Sequence, residues 1–363
     1  MQHQFLSPNG GLTLLPLPGF ESLAERVRDG VEERGRKSAA DLQQPEDNTT
    51  PVDIVVPQFG LRSSGEPYLQ LGKQHIGGHD CIILGSGPGT YSMLGQLNLL
   101  LCYLVGRRAR RISVVLGYFP LSRSDKDEGG LEFALVTHIT RQMLAASENR
   151  LDRIITVDLH APQVAMSGGR TGLITEVSLA RRLLDQAIRA ALETKQRVCL
   201  CFPDDTALKR LEDAVEQTET RYGETFAKVH GSKRRKNSEE LYRLELFGDV
   251  QAVNNSLVIN IDDEIGTGKT NILSAESLRR DFRAKEAWGA VTHAVFANNA
   301  ALKFANPECP VSRLFISDTI PIEDRHDVLS LVSDKKITVI PWFKDLAWMV
   351  YHHHWDMSIR EMR

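Results

Sequence analysis

Residues 257–270 read LVINIDDEIGTGKT. The apolar run at its start, rich in branched side chains, predicts a buried strand over 257–261. It runs into two adjacent carboxylates, Asp262 and Asp263, and then into a loop containing Gly266, Thr267, Gly268, Lys269 and Thr270. A helix is predicted from about Asn271. Loop N–H groups at a helix N-terminus, with small side chains that permit close approach, form a cradle for phosphate. The GKT ending raises a P-loop, but G-x-x-x-x-G-K-T requires glycine at position 263, where this chain has Asp263. What stands is a strand that delivers two carboxylates and then an anion-binding turn.

Three further strand ends carry polar chemistry. Residues 154–161 read IITVDLHA, with Asp158 and His160 one residue apart, so strand alternation predicts both side chains on one side. Open α/β sheets bind ligands at the carboxyl ends of their strands. Aspartate with a neutral histidine there suits a divalent cation that also takes phosphate oxygens, although D-x-H alone fits a hydrogen-bonded structural pair better. Residues 117–128, GYFPLSRSDKDE, follow another apolar run and offer Arg123, Asp125, Lys126 and Asp127. Alone, such a loop fits a solvated turn as well as a nucleotide polyphosphate. Residues 198–210, VCLCFPDDTALKR, place Asp204 and Asp205 at a strand end, with Lys209 and Arg210 one helical turn later. The joint occurrence of these segments is more specific than any one of them.

Around these sites, β-rich runs (52–56, 81–84, 112–116, 154–157, 198–202, 257–261, 293–296, 313–316, 337–340) alternate with helical patterns. The helices are predicted at 93–105, 131–145, 176–192, 206–220, 272–284 and 343–352. Strands alternating with helices of this length mean βαβ units and mostly parallel sheets, an α/β fold. A chain of 363 residues fits two such sheets better than one. The polar stretch 32–50 lacks apolar periodicity and predicts a flexible insertion. A second polar stretch, 232–240, reads SKRRKNSEE.

Composition closes off other classes. Hydrophobic content of 42% excludes wholesale disorder, and 44 basic against 47 acidic residues argue against a surface built for nucleic acid. The five cysteines are scattered without a C-x-x-C pair, which fits a reducing cytoplasm. Cys199 and Cys201 alternate in an apolar run and predict a buried strand. No signal-peptide order and no run of 18 apolar residues is present, so neither export nor a membrane partner is expected. His352, His353 and His354 are consecutive and cannot share one helix face, which argues against a metal site there.

In this order, the segments resemble the phosphoribosyl pyrophosphate synthetase (ribose-phosphate diphosphokinase) family from about residue 12 to the C-terminus. The likeness rests on Tyr118-Phe119-Pro120 with Ser122-Arg123 and Asp125-Lys126, on Asp158-Leu159-His160-Ala161, and on Pro203-Asp204 with Lys209-Arg210. It continues through Phe247-Gly248-Asp249-Val250, Asp262-Asp263 and Thr319-Ile320-Pro321. The resemblance implies two phosphoribosyltransferase-like domains, each a mostly parallel sheet flanked by helices. Residues 1–176 would form the ATP side and 177–345 the ribose-phosphate side. Residues 346–363 would add a C-terminal helix packing back on the first domain.

It also implies roles. Arg123, Ser124, Asp125, Asp127 and His160 would meet ATP, with Phe59 and Glu66 on a segment donated by a neighbouring subunit of a homodimer or larger assembly. His160 and Asp204 would serve Mg²⁺. Asp204, Asp262 and Asp263 would meet the ribose phosphate together with Gly266, Thr267, Gly268, Lys269 and Thr270. Lys233 and Arg235 match a K-x-R pair on a closing loop, able to neutralise charge on a transferring diphosphoryl group.

Three departures matter. Ser124 stands where the family has glutamine, and Tyr91-Ser92-Met93 stands near its Asn-Asp-Asn segment. Gly266 replaces an acidic residue and Lys269 a small one, which makes the sugar-phosphate loop more positive. The expected reaction is diphosphoryl transfer from ATP to ribose 5-phosphate. A substituted acceptor such as ADP-ribose, or a non-catalytic regulatory paralogue, are the alternatives.

Overall fold

A computed structural model of the chain describes residues 7–41, 50–72, 75–125, 133–169, 172–234 and 243–359. In chain order the elements begin β1 (Leu12–Pro16), α1 (Glu21–Asp41), β2 (Val52–Ile54), β3 (Pro57–Leu61), β4 (Pro67–Leu71) and β5 (Asp80–Gly85). Next come α2 (Tyr91–Gly106), β6 (Arg111–Leu116), α3 (Val136–Ala146), β7 (Leu151–Val157), β8 (Ile174–Val177), α4 (Ala180–Glu193) and β9 (Val198–Phe202). They continue through α5 (Asp205–Tyr222), β10 (Ala227–Arg234), β11 (Arg243–Gly248), β12 (Leu257–Ile265), α6 (Lys269–Arg280) and β13 (Glu286–Ala294). The last are α7 (Ala300–Ala305), β14 (Val311–Ser317), α8 (His326–Ser333), β15 (Ile337–Ile340) and α9 (Phe343–His354).

The α/β reading holds. Among the described residues the chain forms two compact units, Leu179–Pro341 and the remainder, Met1–Ser178 with Trp342–Arg363. The first-named unit has a seven-stranded sheet, β11-β10-β9-β12-β13-β14-β15, parallel except for the β10–β11 hairpin. The other has a six-stranded parallel sheet, β2-β1-β5-β6-β7-β8, and a separate β3–β4 hairpin. Strands covered on both faces read as continuous apolar runs. β5 and β9 are buried along their whole length. Cys199 and Cys201 lie buried in β9, and burial, with the Asp249 charge, pushes the Cys199 thiol up to about 12. Among the described residues no helix is long and apolar enough to cross a membrane.

Several sequence expectations need correction. Residues 32–41, expected as part of a flexible insertion, complete α1, and 42–49 lie outside the described residues. The polar composition reflects a helix whose outer face carries i,i+4 pairs, Glu32 with Arg36 and Glu33 with Lys37. Its inner face lies against α9, where a Cβ on Gly30 would come within 2.7 Å of the Ala347 Cβ. The helix expected over 176–192 is two elements, because Ile174–Val177 pairs with β7 before α4 starts. The strand expected at 293–296 is the end of the longer β13, since Phe296 leaves the strand with φ 47°. The runs that became β1, β3, β4, β10 and β11 are additional to those read from the sequence.

Charges are buried at the amino ends of β5 and β6. Asp80 is wholly buried and accepts from Arg111 Nε at 3.0 Å. His354 Nδ1 lies 2.9 Å from the Asp80 carboxylate and, facing an acceptor, donates. Arg111 also donates to Asp356 at 2.7 Å and to the His353 carbonyl at 2.6 Å. Burial alone raises the Asp80 pKa, but the hydrogen bonds from His354 and Arg111 outweigh it and hold the carboxyl below its ordinary range. His353 shares a 2.8 Å hydrogen bond with Ser113, and His352 stacks on Trp348 at 3.8 Å. The three consecutive histidines therefore face three different neighbourhoods, as expected.

Burial first, and then the Arg111 charge, push the His353 pKa down to about 4. An unfolded chain, with a histidine near 6.5, takes up that proton more readily than the folded one. The stabilisation is complete above pH 6.5 and is lost as pH falls toward 4, by on the order of 3 kcal/mol. Asp80, also depressed, loses its contribution in the same direction, through the carboxylate range. Thermal melts should show Tm falling across this window, and His353→Gln should flatten the slope between pH 6.5 and 4. Asp80→Ala, which takes the buried carboxylate from both Arg111 and His354 and leaves Arg111 only Asp356 and the His353 carbonyl, should cost about 3 kcal/mol at neutral pH.

Candidate functional site

The 266–270 loop, the candidate phosphate cradle, is assembled where β12 meets α6. Strand pairing with β13 runs to Ile265, so the carboxylates Asp262 and Asp263 sit within β12 rather than beyond it. Both side chains are half-buried. Asp262 is fixed on both oxygens: Oδ1 accepts from the Asp263 amide at 3.1 Å and Oδ2 from Asn271 Nδ2 at 3.2 Å. Asn271, buried in the first turn of α6, is a site residue the sequence reading passed over. Its position three residues after Gly268 was the available signal. Glu264, 7% exposed, follows in register with His293 of β13, another buried polar pair that the apolar-run reading missed.

Gly266, Thr267 and Gly268 form the turn, and Lys269 and Thr270 open α6 with exposed side chains. Gly268 caps the helix at φ 72°, with no side chain bonding the first N–H groups. Those amides have no intrahelical partner and carry the positive end of the helix dipole. Glycine is required at 268 twice over, since the backbone is left-handed and a Cβ would lie 2.7 Å from Phe304 Cε2.

Asp204 is the N-cap of α5, its Oδ1 accepting from the Ala207 amide at 2.8 Å. The side chain is exposed. Lys209 bonds Asp205 at 2.6 Å, a pairing that lowers the Asp205 pKa. Lys233 lies near the end of β10, its backbone opposite Leu244 of β11, and Arg235 lies outside the described residues.

In the other unit, the loops after β5, β6 and β7 are tied together by backbone bonds. Gly117 donates to Gly85 O at 3.1 Å, Leu121 to Pro88 O at 3.2 Å, and Val157 to Gly117 O at 3.3 Å. Arg123 is exposed on this surface. Ser124 is engaged locally, its Oγ donating to Phe133 O at 3.0 Å and accepting from the Leu135 amide at 3.2 Å. Asp125 accepts from Gln163 at 3.2 Å, so the 123–125 loop adjoins the segment after His160. Lys126 and Asp127 lie outside the described residues.

The expectation that Asp158 and His160 share one side fails. β7 ends at Val157 and Asp158 takes φ 34°, so the period of two does not extend through it. Asp158 is 2% exposed, whereas His160 is exposed. A non-glycine residue held in that region stores strain of the kind found at ligand sites. Phe59 is half-buried on β3 opposite Leu69, and Glu66 is exposed at the hairpin turn, accepting from Ser64 at 2.9 Å.

No family model matches the chain. Curated relatives do. The chain is 27% identical over 281 residues to ribose-phosphate pyrophosphokinase 2 of Schizosaccharomyces pombe, covering 77% of this chain and 81% of that one. It is 27% identical over 315 residues to the ribose-phosphate pyrophosphokinase of Rhodopirellula baltica, covering 86% and 90%. In fold it is similar to the crystal structure of phosphoribosylpyrophosphate synthetase from Mycobacterium smegmatis, with a TM-score of 0.68 at 23% identity over 94% of this chain and 98% of that one. The likeness carried by the motifs holds: over most of its length the chain is similar to ribose-phosphate pyrophosphokinases, and in fold to a phosphoribosylpyrophosphate synthetase.

Gly268→Ala should destabilise the Leu179–Pro341 unit by about 1–3 kcal/mol through φ strain and the Phe304 clash. Adding Phe304→Leu should return only part of that loss, because the φ penalty stays. Urea denaturation of both variants measures the difference.

Proposed function

We propose that the chain transfers the β,γ-diphosphoryl group of ATP to the anomeric hydroxyl of ribose 5-phosphate, releasing AMP. The observation that carries this reading is β12 delivering two adjacent carboxylates, Asp262 fixed on both oxygens, just before a helix N-terminus whose glycine cap leaves the first N–H groups without a side-chain partner, in a chain similar to ribose-phosphate pyrophosphokinases. The N–H groups of 267–270 hold the 5-phosphate. Asp262, locked by Asn271, and Asp263 accept from the ribose hydroxyls and turn the anomeric oxygen toward ATP. That oxygen bonds the β-phosphorus in line as the bond to the α,β-bridging oxygen breaks; AMP leaves with the electron pair, and the hydroxyl proton passes to solvent. Arg123 and Asp125 belong to the ATP side with His160. Lys233 and Arg235 neutralise charge developing on the transferred group.

Mg²⁺ fits the donors present. Carboxylates and one imidazole stand at strand ends, Asp204 and His160 both exposed, and magnesium ordinarily takes one or two protein ligands alongside phosphate oxygens and water. His160 in one unit and Asp204 in the other would each offer magnesium a single protein donor beside phosphate oxygens, and the ion would screen phosphate charge. Among the described residues no three His, Cys, Asp or Glu side chains gather into a metal cage.

Self-association belongs to the same reading. The β3–β4 hairpin carrying Phe59 and Glu66 exposes Leu61 and Tyr68, as a segment offered to a neighbouring subunit would. A second acceptor is favoured by one feature. Gly266 brings no carboxylate to the loop, and exposed Lys269 adds an ammonium, which suits an acceptor with more negative charge, such as ADP-ribose.

AMP release from Mg-ATP, with ribose 5-phosphate or ADP-ribose supplied in turn, tests this. Turnover with ribose 5-phosphate is expected, and preference for ADP-ribose would move the assignment to the second acceptor. Silence with both in a folded, metal-replete preparation would make the chain a non-catalytic paralogue. Lys233→Ala should lower kcat by about 10²-fold or more, and full activity in that variant would remove Lys233 from the mechanism.

A further inference from the structure

The sugar-phosphate loop has a second layer. A cradle for an anion must present N–H groups and keep its carbonyl oxygens away. Three consecutive loop carbonyls are held from one neighbouring segment. Ile265 O accepts from the Phe296 amide at 3.0 Å, Gly266 O from the Ala297 amide at 3.0 Å, and Thr267 O from Lys303 Nζ at 2.8 Å.

That segment is itself strained and held. Phe296, Asn298 and Asn299 have φ of 47°, 54° and 56°. For phenylalanine this is an outlier that needs support from its surroundings. Arg325 supplies it. Its guanidinium donates to Ala294 O at 3.3 Å, Val295 O at 3.0 Å and Phe296 O at 3.2 Å, and it lies 5.5 Å from the centroid of the Phe296 ring. Phe296 meets Phe304 edge-on at 5.8 Å, and Phe304 fills the space beside Gly268. A continuous line of contacts therefore runs from Arg325 through Phe296 and Phe304 to the cap of α6.

We infer that Lys303 and Arg325 are positioning residues for phosphate binding, Lys303 by turning the Thr267 carbonyl away from the ligand and Arg325 by fixing the strained 294–299 segment. The inference rests on the 266–270 loop being the sugar-phosphate site, as proposed above. Neither side chain needs to touch the substrate. Lys303 acts on one loop carbonyl directly, and Arg325 acts two contacts away. A guanidinium fork spans three carbonyls, which an ammonium does not.

The decisive variants are Lys303→Met and Arg325→Lys. Calorimetric titration with ribose 5-phosphate and with inorganic phosphate reads the loop without the reaction, and AMP release reads KM against kcat. Lys303→Met should weaken both phosphate ligands about tenfold, as loss of one charge-assisted hydrogen bond does. KM for the sugar phosphate should rise, with kcat and the KM for ATP nearly unchanged. Lys303→Arg should restore binding. Arg325→Lys keeps the charge and should still weaken phosphate binding severalfold, which a purely Coulombic role would not produce.

Phosphate affinity unchanged in Lys303→Met, or in a folded Arg325→Lys, overturns the inference. So does a folded parent chain that binds neither phosphate ligand. If the parent chain binds phosphate and the variants lose it while no AMP is ever released, the proposed reaction fails and the positioning roles stand.

Discussion

Parallel pairing is the constraint on which both halves of this protein depend. A parallel strand must be reached by a crossover, and the crossover helices return the chain to the same edge of the sheet each time. Every strand of such a sheet therefore delivers its loop at one end. In one unit that end gathers the loops after β5, β6 and β7, tied by bonds among Gly85, Gly117, Leu121 and Val157. In the other it gathers the ends of β9, β12, β13 and β14, with Asp204, Asp262, Asp263 and the 266–270 turn. The apolar strands are buried along their length and tolerate little polar chemistry, so the chemistry moves to where they stop.

The opposite ends of the same strands do different work. Asp80 and Arg111 are the first residues of β5 and β6, while Gly85 and Leu116 are the last and lead into the candidate ATP-side loops. At the first end, buried charges close on one another and on His353, His354 and Asp356, locking α9 and its following residues to the sheet. A buried ion pair is weak evidence for net stabilisation, but removing one partner strands the other. The C-terminal segment is thereby committed to a single docking geometry. The buried charge cluster and the candidate ATP-side loops therefore lie at opposite ends of the same strands.

Much of this was legible in the sequence, for reasons that particular residues show. β12 could be read because an apolar run ends abruptly in two acids, and the following turn because small residues cluster before a helix. The three histidines could be dismissed as a joint metal site by helical geometry alone. Asp158 shows the limit, since alternation predicts a face only while the strand lasts, and one positive φ ends it. Residues 32–41 show another: a helix with charged i,i+4 pairs outside and Gly30 packed close to Ala347 inside carries little apolar periodicity. Backbone carbonyls leave no trace in a sequence, so residues that bond them, such as Arg325 and Lys303, have no motif.

On the proposed reading of 266–270 as a phosphate cradle, that last class explains how a weakly distinctive loop would become an anion site. Gly266, Thr267, Gly268, Lys269 and Thr270 would be an ordinary turn if their carbonyls were free to rotate toward a ligand, since a phosphate is attracted by an amide N–H and repelled by a carbonyl oxygen. Selectivity arises from removing that freedom in the folded state. Hydrogen bonds to Ile265, Gly266 and Thr267 oxygens fix the peptide planes, and fixing a plane aims its N–H as surely as its C=O. The conformational cost is met during folding, by a strained segment clamped at Arg325 and by close packing at Gly268, so little is left to be met on binding. The shape of the loop is thus a property of the fold of its whole unit, and the side chains at 266 and 269 set its charge without being needed to hold that shape.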